Sequence, residues 1–196
     1  MLYHSLTDRQ LTRSFAQAVV EGLAPDKGLY YPEQIPSLPQ ELWLSEEDLN
    51  PWNLGAAMMA PLAERDLKHE DLLDILKDVL NFPLELHEVE DNVYALELFH
   101  GPTHAFKDVG ARFLSRVLRR VSDKRLTILV ATSGDTGSAV AQGFLNVPNI
   151  DVVILYPQGR ISKIQEQQLT TAGANIKALE VEGAFDDCQA MVKAAS

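Results

Sequence analysis

Cysteine is nearly absent: the 196 residues hold one, Cys188. A lone thiol excludes an intrachain disulfide framework and a cysteine-rich metal site, and it fits a reducing compartment. Long apolar runs are missing as well, so no stretch is suited to spanning a bilayer. The opening Met1-Leu2-Tyr3-His4-Ser5 has neither the charged start nor the apolar middle of a secretory signal, and the expected setting is the cytoplasm. Positive charge is scarce. Against 28 Asp and Glu stand 17 Lys and Arg, a formal net charge of -11 with no clustered basic tract. That balance argues against nucleic acid as a partner, and any anionic substrate has to be held by a local site. His69 and Glu70 suggest a metal, but the second histidine that a zinc-protease helix needs four residues on is missing, and no metal is expected.

What is present is an ordinary globular composition, 46% hydrophobic, enough to bury a sizeable core in one or two domains. Thr7 with Gln10 reads as a capping box before a helix carrying Leu11, Phe15, Ala18 and Val19, which Gly22 ends. A turn from Pro25 to Gly28 leads to Leu29-Tyr30-Tyr31, and Pro32, Pro36 and Pro39 mark an extended connection. Ser45 with Asp48 suggests a short capped helix, and Trp43 and Trp52 read as packing residues. Leu72, Leu73, Leu76, Val79 and Leu80 form a helical stripe facing a core. Phe82-Pro83-Leu84 opens an extended segment, and Asp91-Asn92 turns it back into a half-buried strand through Tyr94, Leu96 and Leu98.

The densest chemistry follows that strand. His100-Gly101-Pro102-Thr103-His104-Ala105-Phe106-Lys107 is a Gly-Pro turn that delivers a lysine to a helix whose apolar positions are Gly110, Phe113, Leu114, Val117, Leu118 and Val121. Phe106 and Val109 partly desolvate the amine, and the helix N-terminus disfavours positive charge on it; both favour a nucleophile. An ordinary surface lysine is the bland alternative. Next, Leu126-Thr127-Ile128-Leu129-Val130 reads as a buried strand running into Thr132-Ser133-Gly134-Asp135-Thr136-Gly137-Ser138. Glycines, hydroxyls and a following helix N-terminus make that loop an anion holder. Strands at Val152–Leu155 and Ile176–Leu179 alternate with helices over residues 137–146, 162–172 and 186–195, Gly173 ending the second. The expected fold class is therefore α/β, a parallel sheet flanked by helices. Residues 1–97 read as an N-terminal helical region with a β-hairpin, and residues 98–196 as an incomplete sheet with one face left uncovered. Arg160, Ser162 and Lys163 suit a phosphate dianion beside a helix N-terminus; they suit a charged, capped helix start equally well.

The lysine and anion-loop stretches, with Gly22-Leu23-Ala24-Pro25-Asp26-Lys27-Gly28-Leu29-Tyr30, Tyr156-Pro157-Gln158-Gly159-Arg160-Ile161-Ser162, Gln165 and Phe185-Asp186-Asp187-Cys188-Gln189, resemble the threonine synthase family across nearly the whole chain. These are pyridoxal-phosphate enzymes of the tryptophan-synthase-like fold. The resemblance implies that Lys107 carries the cofactor and shuttles protons, and that Thr132, Ser133 and Thr136 grip the substrate's α-carboxylate. Asp135 falls where relatives direct an asparagine at the cofactor's phenolic oxygen, a bond an ionised carboxylate cannot donate; a turn or cap role is the alternative. His104 lines the pocket or is structural. The implied reaction turns O-phospho-L-homoserine and water into L-threonine and phosphate by γ-elimination and β-addition. A threonine or serine dehydratase-like lyase and a catalytically silent relative are the alternatives. The family's second, glycine-rich segment for the cofactor phosphate does not follow Thr136. The chain is therefore expected to lack a C-terminal portion and to be incompetent alone.

Overall fold

The computed structural model describes residues 1–38, 40–43, 50–63 and 65–195. Pro39, the Ser45 and Asp48 pair and the Trp43 side chain lie outside the described residues. The chain divides into two units, Met1–Asn81 with Arg116–Ser122, and Phe82–Ser115 with Asp123–Ser196. The hairpin thus falls in the second unit, whereas the sequence reading grouped it with the region ending at residue 97.

The first unit opens with strands β1 (Tyr3–Ser5) and β2 (Thr12–Arg13), then helix α1 (Phe15–Glu21), strand β3 (Tyr30–Pro32) and helices α2 (Pro51–Ala63) and α3 (His69–Val79). The strands form an antiparallel sheet ordered β2-β1-β3. The capping box belongs to Ser14 and Gln17, not to Thr7 and Gln10. Thr7 instead donates its backbone N–H to the Ser5 hydroxyl (3.1 Å), because the residues before it are committed to β1 and its turn. Gly22 does end α1, with φ at 73°. Trp52 donates its indole N–H to the Leu80 carbonyl (3.2 Å), tying α2 to the end of α3. The inward face of α3 is Leu72, Ile75, Leu76 and Val79, so Ile75 takes the place expected for Leu73. Gly55 lets α2 approach, since a Cβ there would stand 3.1 Å from Leu76 Cδ1. Asp78 and Asp71 of α3 pair with Arg116 (2.7 Å) and Arg120.

The second unit begins with the hairpin of β4 (Glu85–Glu90) and β5 (Val93–Glu97), turned at Asp91-Asn92 with Asn92 left-handed at φ 62°. Every residue of it is exposed except the half-buried Glu97, which corrects the half-buried strand expected from Tyr94 and Leu96. Both strands have one partner each among the described residues. Then come α4 (Lys107–Val121), β6 (Leu126–Ala131), α5 (Asp135–Phe144), β7 (Ile150–Pro157), α6 (Lys163–Thr170), β8 (Ile176–Val181) and α7 (Phe185–Ala195). The three strands form the expected parallel sheet, ordered β6-β7-β8, with Val130 opposite Ile154 and Ile154 opposite Ala178. Central β7 is buried at six of eight positions, whereas edge strand β6 is only half-buried, short of the buried strand expected. Helices α5 and α6 pack together and on β7 and β8, while α7 returns over β6 and β7. That return covers part of the sheet the sequence reading left bare.

Helix α4 meets expectation at Val117 and Leu118, which are buried, and departs from it in its first half. Its buried positions at this end are Asp108, Arg112 and Ser115, while Gly110 and Leu114 are exposed and Phe113 half-buried. The polar face is buried because it is satisfied: the Ser115 hydroxyl donates to the Gly143 carbonyl of α5 (2.7 Å). Gly143 allows that approach, for a Cβ there would stand 3.1 Å from the backbone at Ala111.

Candidate active site

The turn before α4 is shaped by what its backbone must do. Gly101 has no space for a side chain, since a Cβ would stand 2.6 Å from Asp108 Oδ2 and 3.1 Å from Phe82 Cε1. His104 adopts φ 56° and donates its backbone N–H to the Gly101 carbonyl (3.1 Å). Asp108, fully buried, accepts the Thr103 hydroxyl at 2.7 Å and the Thr103 backbone N–H at 2.8 Å. A buried carboxylate with two donors is satisfied, and it clamps the turn onto the first turn of the helix. Lys107 is thereby fixed as the first residue of α4. Its side chain is 32% exposed, and Nζ lies 4.5 Å from the centre of the Phe106 ring.

The anion loop is built from beneath by one hydroxyl. Thr132 is buried, continues the β6 ladder through its N–H to the Leu155 carbonyl (3.0 Å), and turns Oγ1 to accept Gly134 N–H (3.0 Å) and Gly137 N–H (2.8 Å). Gly137 is obligatory, because a Cβ would meet Thr132 Cγ2 at 2.5 Å. Gly134, at φ 138°, precedes α5. Ser133, Asp135 and Thr136 are left exposed around the helix N-terminus.

Asp135 joins the two stretches: its Oδ2 stands 3.7 Å from Lys107 Nζ. Its Oδ1 accepts the side-chain amide of Gln165 at 2.5 Å. Gln165 is in turn the third residue of α6, whose N-cap Ser162 donates its backbone N–H (3.3 Å) and hydroxyl (3.0 Å) to Gln165 Oε1. Arg160 follows the left-handed Gly159 in the turn after β7 and is exposed, as is Lys163. The structure therefore gathers Lys107, Asp135, Gln165 and Ser162 into one line of contacts. Thr132 faces the loop's interior, and Arg160 is exposed in the turn before α6. Sequence reasoning missed the Asp108 clamp and the reach of Gln165 to Asp135. The Ser-x-x-Gln pattern signals the cap of α6 but not the second use of the amide. Tyr156, buried in β7, has its phenol pushed up by burial and by the nearby Glu180 and Glu166 carboxylates.

His69 and Glu70 are exposed at the start of α3. Among the described residues, Glu85, His87 and Glu97 of the hairpin bring potential metal ligand atoms within 4.8 Å of one another; His87 pairs with Glu85 at 3.1 Å. No helix among the described residues is long and apolar enough to cross a membrane.

The site sets a half-exposed amine at a helix start beside one carboxylate and an amide- and hydroxyl-rich loop at the end of a parallel strand. Residues 78–196 match the family model for pyridoxal-phosphate dependent enzymes, and the chain belongs to that family. Residues 2–79 match the model for the threonine synthase N terminus. The chain is 47% identical over 183 residues to threonine synthase of Haemophilus influenzae, covering 93% of this chain and 43% of that protein. It is 43% identical over 200 residues to threonine synthase of Escherichia coli, covering 100% and 46%. The crystal structure of the Escherichia coli enzyme superposes with a TM-score of 0.91 at 42% identity, over 100% of this chain and 46% of that one. A threonine synthase from Brucella melitensis with pyridoxal phosphate bound gives 0.88 at 35% identity, over 99% and 44%. The chain thus spans less than half the length of the relatives it matches.

Proposed function

We propose that this chain supplies the lysine, the carboxylate-binding loop and the leaving-group segment of a threonine synthase, an enzyme that converts O-phospho-L-homoserine and water to L-threonine and phosphate. The observation that carries the reading is the 3.7 Å approach of Lys107 Nζ to Asp135 Oδ2, which brings the helix start after the Gly-Pro turn to the mouth of the anion loop. Its similarity along the whole chain to threonine synthases supports the choice of substrate. Pyridoxal phosphate, when bound, supplies the electron sink for charge that develops on the substrate's carbons. Lys107 holds it, and the same Nζ accepts and returns protons during turnover. Ser133 and Thr136, exposed beside the N-terminus of α5, bind the substrate carboxylate together with loop N–H groups. Thr132 serves the same function from below, by holding Gly134 and Gly137 in place. Asp135 orients Lys107. Arg160 and the Ser162 hydroxyl, next to the N-terminus of α6, take the phosphate that leaves. The free, buried Cys188 supports a cytoplasmic setting.

The test uses the complete protein that contains this chain. Wild type is expected to release threonine from phosphohomoserine. Lys107→Ala is expected to lose both turnover and borohydride-fixed cofactor at residue 107, while Arg160→Met weakens phosphohomoserine more than a phosphate-free amino acid. Ammonia and keto-acid release from threonine or serine, without threonine formation, would replace this reading by a dehydratase.

A further inference from the structure

A capping box is satisfied by either Glu or Gln at its third helical position, and a helix N-terminus favours the negative one. At the start of α6 the residue is Gln165, and its amide is used at both ends. Oε1 accepts from Ser162, and Nε2 donates to Asp135 Oδ1 at 2.5 Å. A glutamate here would keep the cap and set two carboxylates against each other. The backbone is shaped to admit this side chain: a Cβ on Gly134 would stand 2.5 Å from Gln165 Cδ and Oε1 and 2.6 Å from Nε2. With Oδ1 engaged by Gln165, Asp135 keeps Oδ2 for Lys107.

We infer that Gln165 is a positioning residue for the lysine: its amide fixes the Asp135 carboxylate against Lys107 and ties that pair to Ser162. The inference rests on the proposed reaction for its direction. Ser162 is the hydroxyl assigned to the leaving phosphate, and its O–H now donates to Gln165 Oε1. When that O–H turns to a phosphate oxygen, Gln165 loses one of its two donors, and the change is felt at Asp135. A phosphate-bearing substrate is thereby coupled to the amine that acts on it through three side chains, Ser162, Gln165 and Asp135.

The experiment compares Gln165→Glu with Gln165→Ala in the complete protein. Glutamate retains the cap and loses the donor; alanine loses both. Two readouts are taken: the rate at which borohydride fixes pyridoxal phosphate on Lys107 without substrate, and the separate kcat and KM for phosphohomoserine. Gln165→Glu is expected to slow cofactor fixation at Lys107 about tenfold. It should lower kcat ten- to a hundredfold with KM within about threefold, as a misplacement near 1 Å does, while its thermal midpoint stays at the wild-type value. A Gln165→Glu protein that matches wild type in both readouts, while Gln165→Ala loses both, assigns Gln165 to the helix cap alone and overturns the inference. The cofactor readout needs no turnover. If wild type takes up pyridoxal phosphate at Lys107 but makes no threonine, the proposed function fails while the role of Gln165 is still decided.

Discussion

Asp108 holds Thr103 by two hydrogen bonds, one to its backbone N–H at 2.8 Å and one to its hydroxyl at 2.7 Å, and does so from a fully buried position. The residue next to the lysine is therefore a fastener for the turn that presents it. Asp108→Ala leaves the Thr103 N–H without its acceptor and a cavity beside Gly101. The expected loss is roughly 1–3 kcal/mol in urea unfolding, together with slower cofactor fixation at Lys107. An Asp108→Ala protein with wild-type stability and fixation rate would free the turn from this clamp.

Thr132 is expected to separate hydroxyl from methyl. Thr132→Val keeps the volume but leaves the N–H groups of Gly134 and Gly137 unpaired in a buried place, at an expected cost of about 1–3 kcal/mol. Thr132→Ser keeps both bonds and should stay closer to wild type. Urea midpoints of the two variants check this, and equal midpoints would show that the hydroxyl does not order the loop.

Acid should weaken the N-terminal unit through two of its carboxylates. The Asp26 carboxylate is held below the usual range by the Gly28 N–H (2.9 Å), helped by the Ser5 hydroxyl (2.8 Å to each oxygen). Glu21 is lowered by the Tyr30 hydroxyl and by Arg13 at 2.7 Å. A lowered folded value means that the stabilisation is complete above the ordinary carboxylate range, near pH 4, and is lost as pH falls through it. Urea midpoints between pH 7 and pH 3 should decline below about pH 4, and Asp26→Asn should flatten that decline. A variant whose curve runs parallel to wild type would remove Asp26 from the acid limb.

The parallel half of the fold was legible because its strands are apolar, short and punctuated. Leu126–Ala131, Ile150–Pro157 and Ile176–Val181 each carry that signature, and the helices between them need only cap and length to be placed. Helix α4 was legible in extent and in its buried Val117 and Leu118, but not in the orientation of its first half. Hydrophobicity cannot mark Asp108, Arg112 and Ser115 as the inward side, since their burial depends on polar partners: Thr103 in the turn just before the helix, and the Gly143 carbonyl, 28 residues away. The cap expected at Thr7 and Gln10 lies instead at Ser14 and Gln17, because β1 occupies the segment before Thr7. Within the site, Lys107 and the anion loop carry their own local signals. Their meeting at Asp135, and the reach of Gln165 across from α6, follow from sheet order and have no counterpart in local pattern.

The first unit is not contiguous, and that has a consequence for synthesis. Chains emerge from the ribosome N-terminus first and fold by units as they appear. Asp71 and Asp78 leave well before Arg116 and Arg120, their partners, and the buried Val117 and Leu118 arrive later still than the rest of that unit's core. A nascent chain that ends at residue 81 holds α3 with its carboxylates facing water and its core short of two apolar side chains. The unit closes only once residue 122 is free, by which time the lysine turn and the whole of α4 are already outside. The segment matched by the N-terminal family model, residues 2–79, is thus a region of sequence whose compact unit is completed by a later stretch of the same polypeptide, residues 116–122.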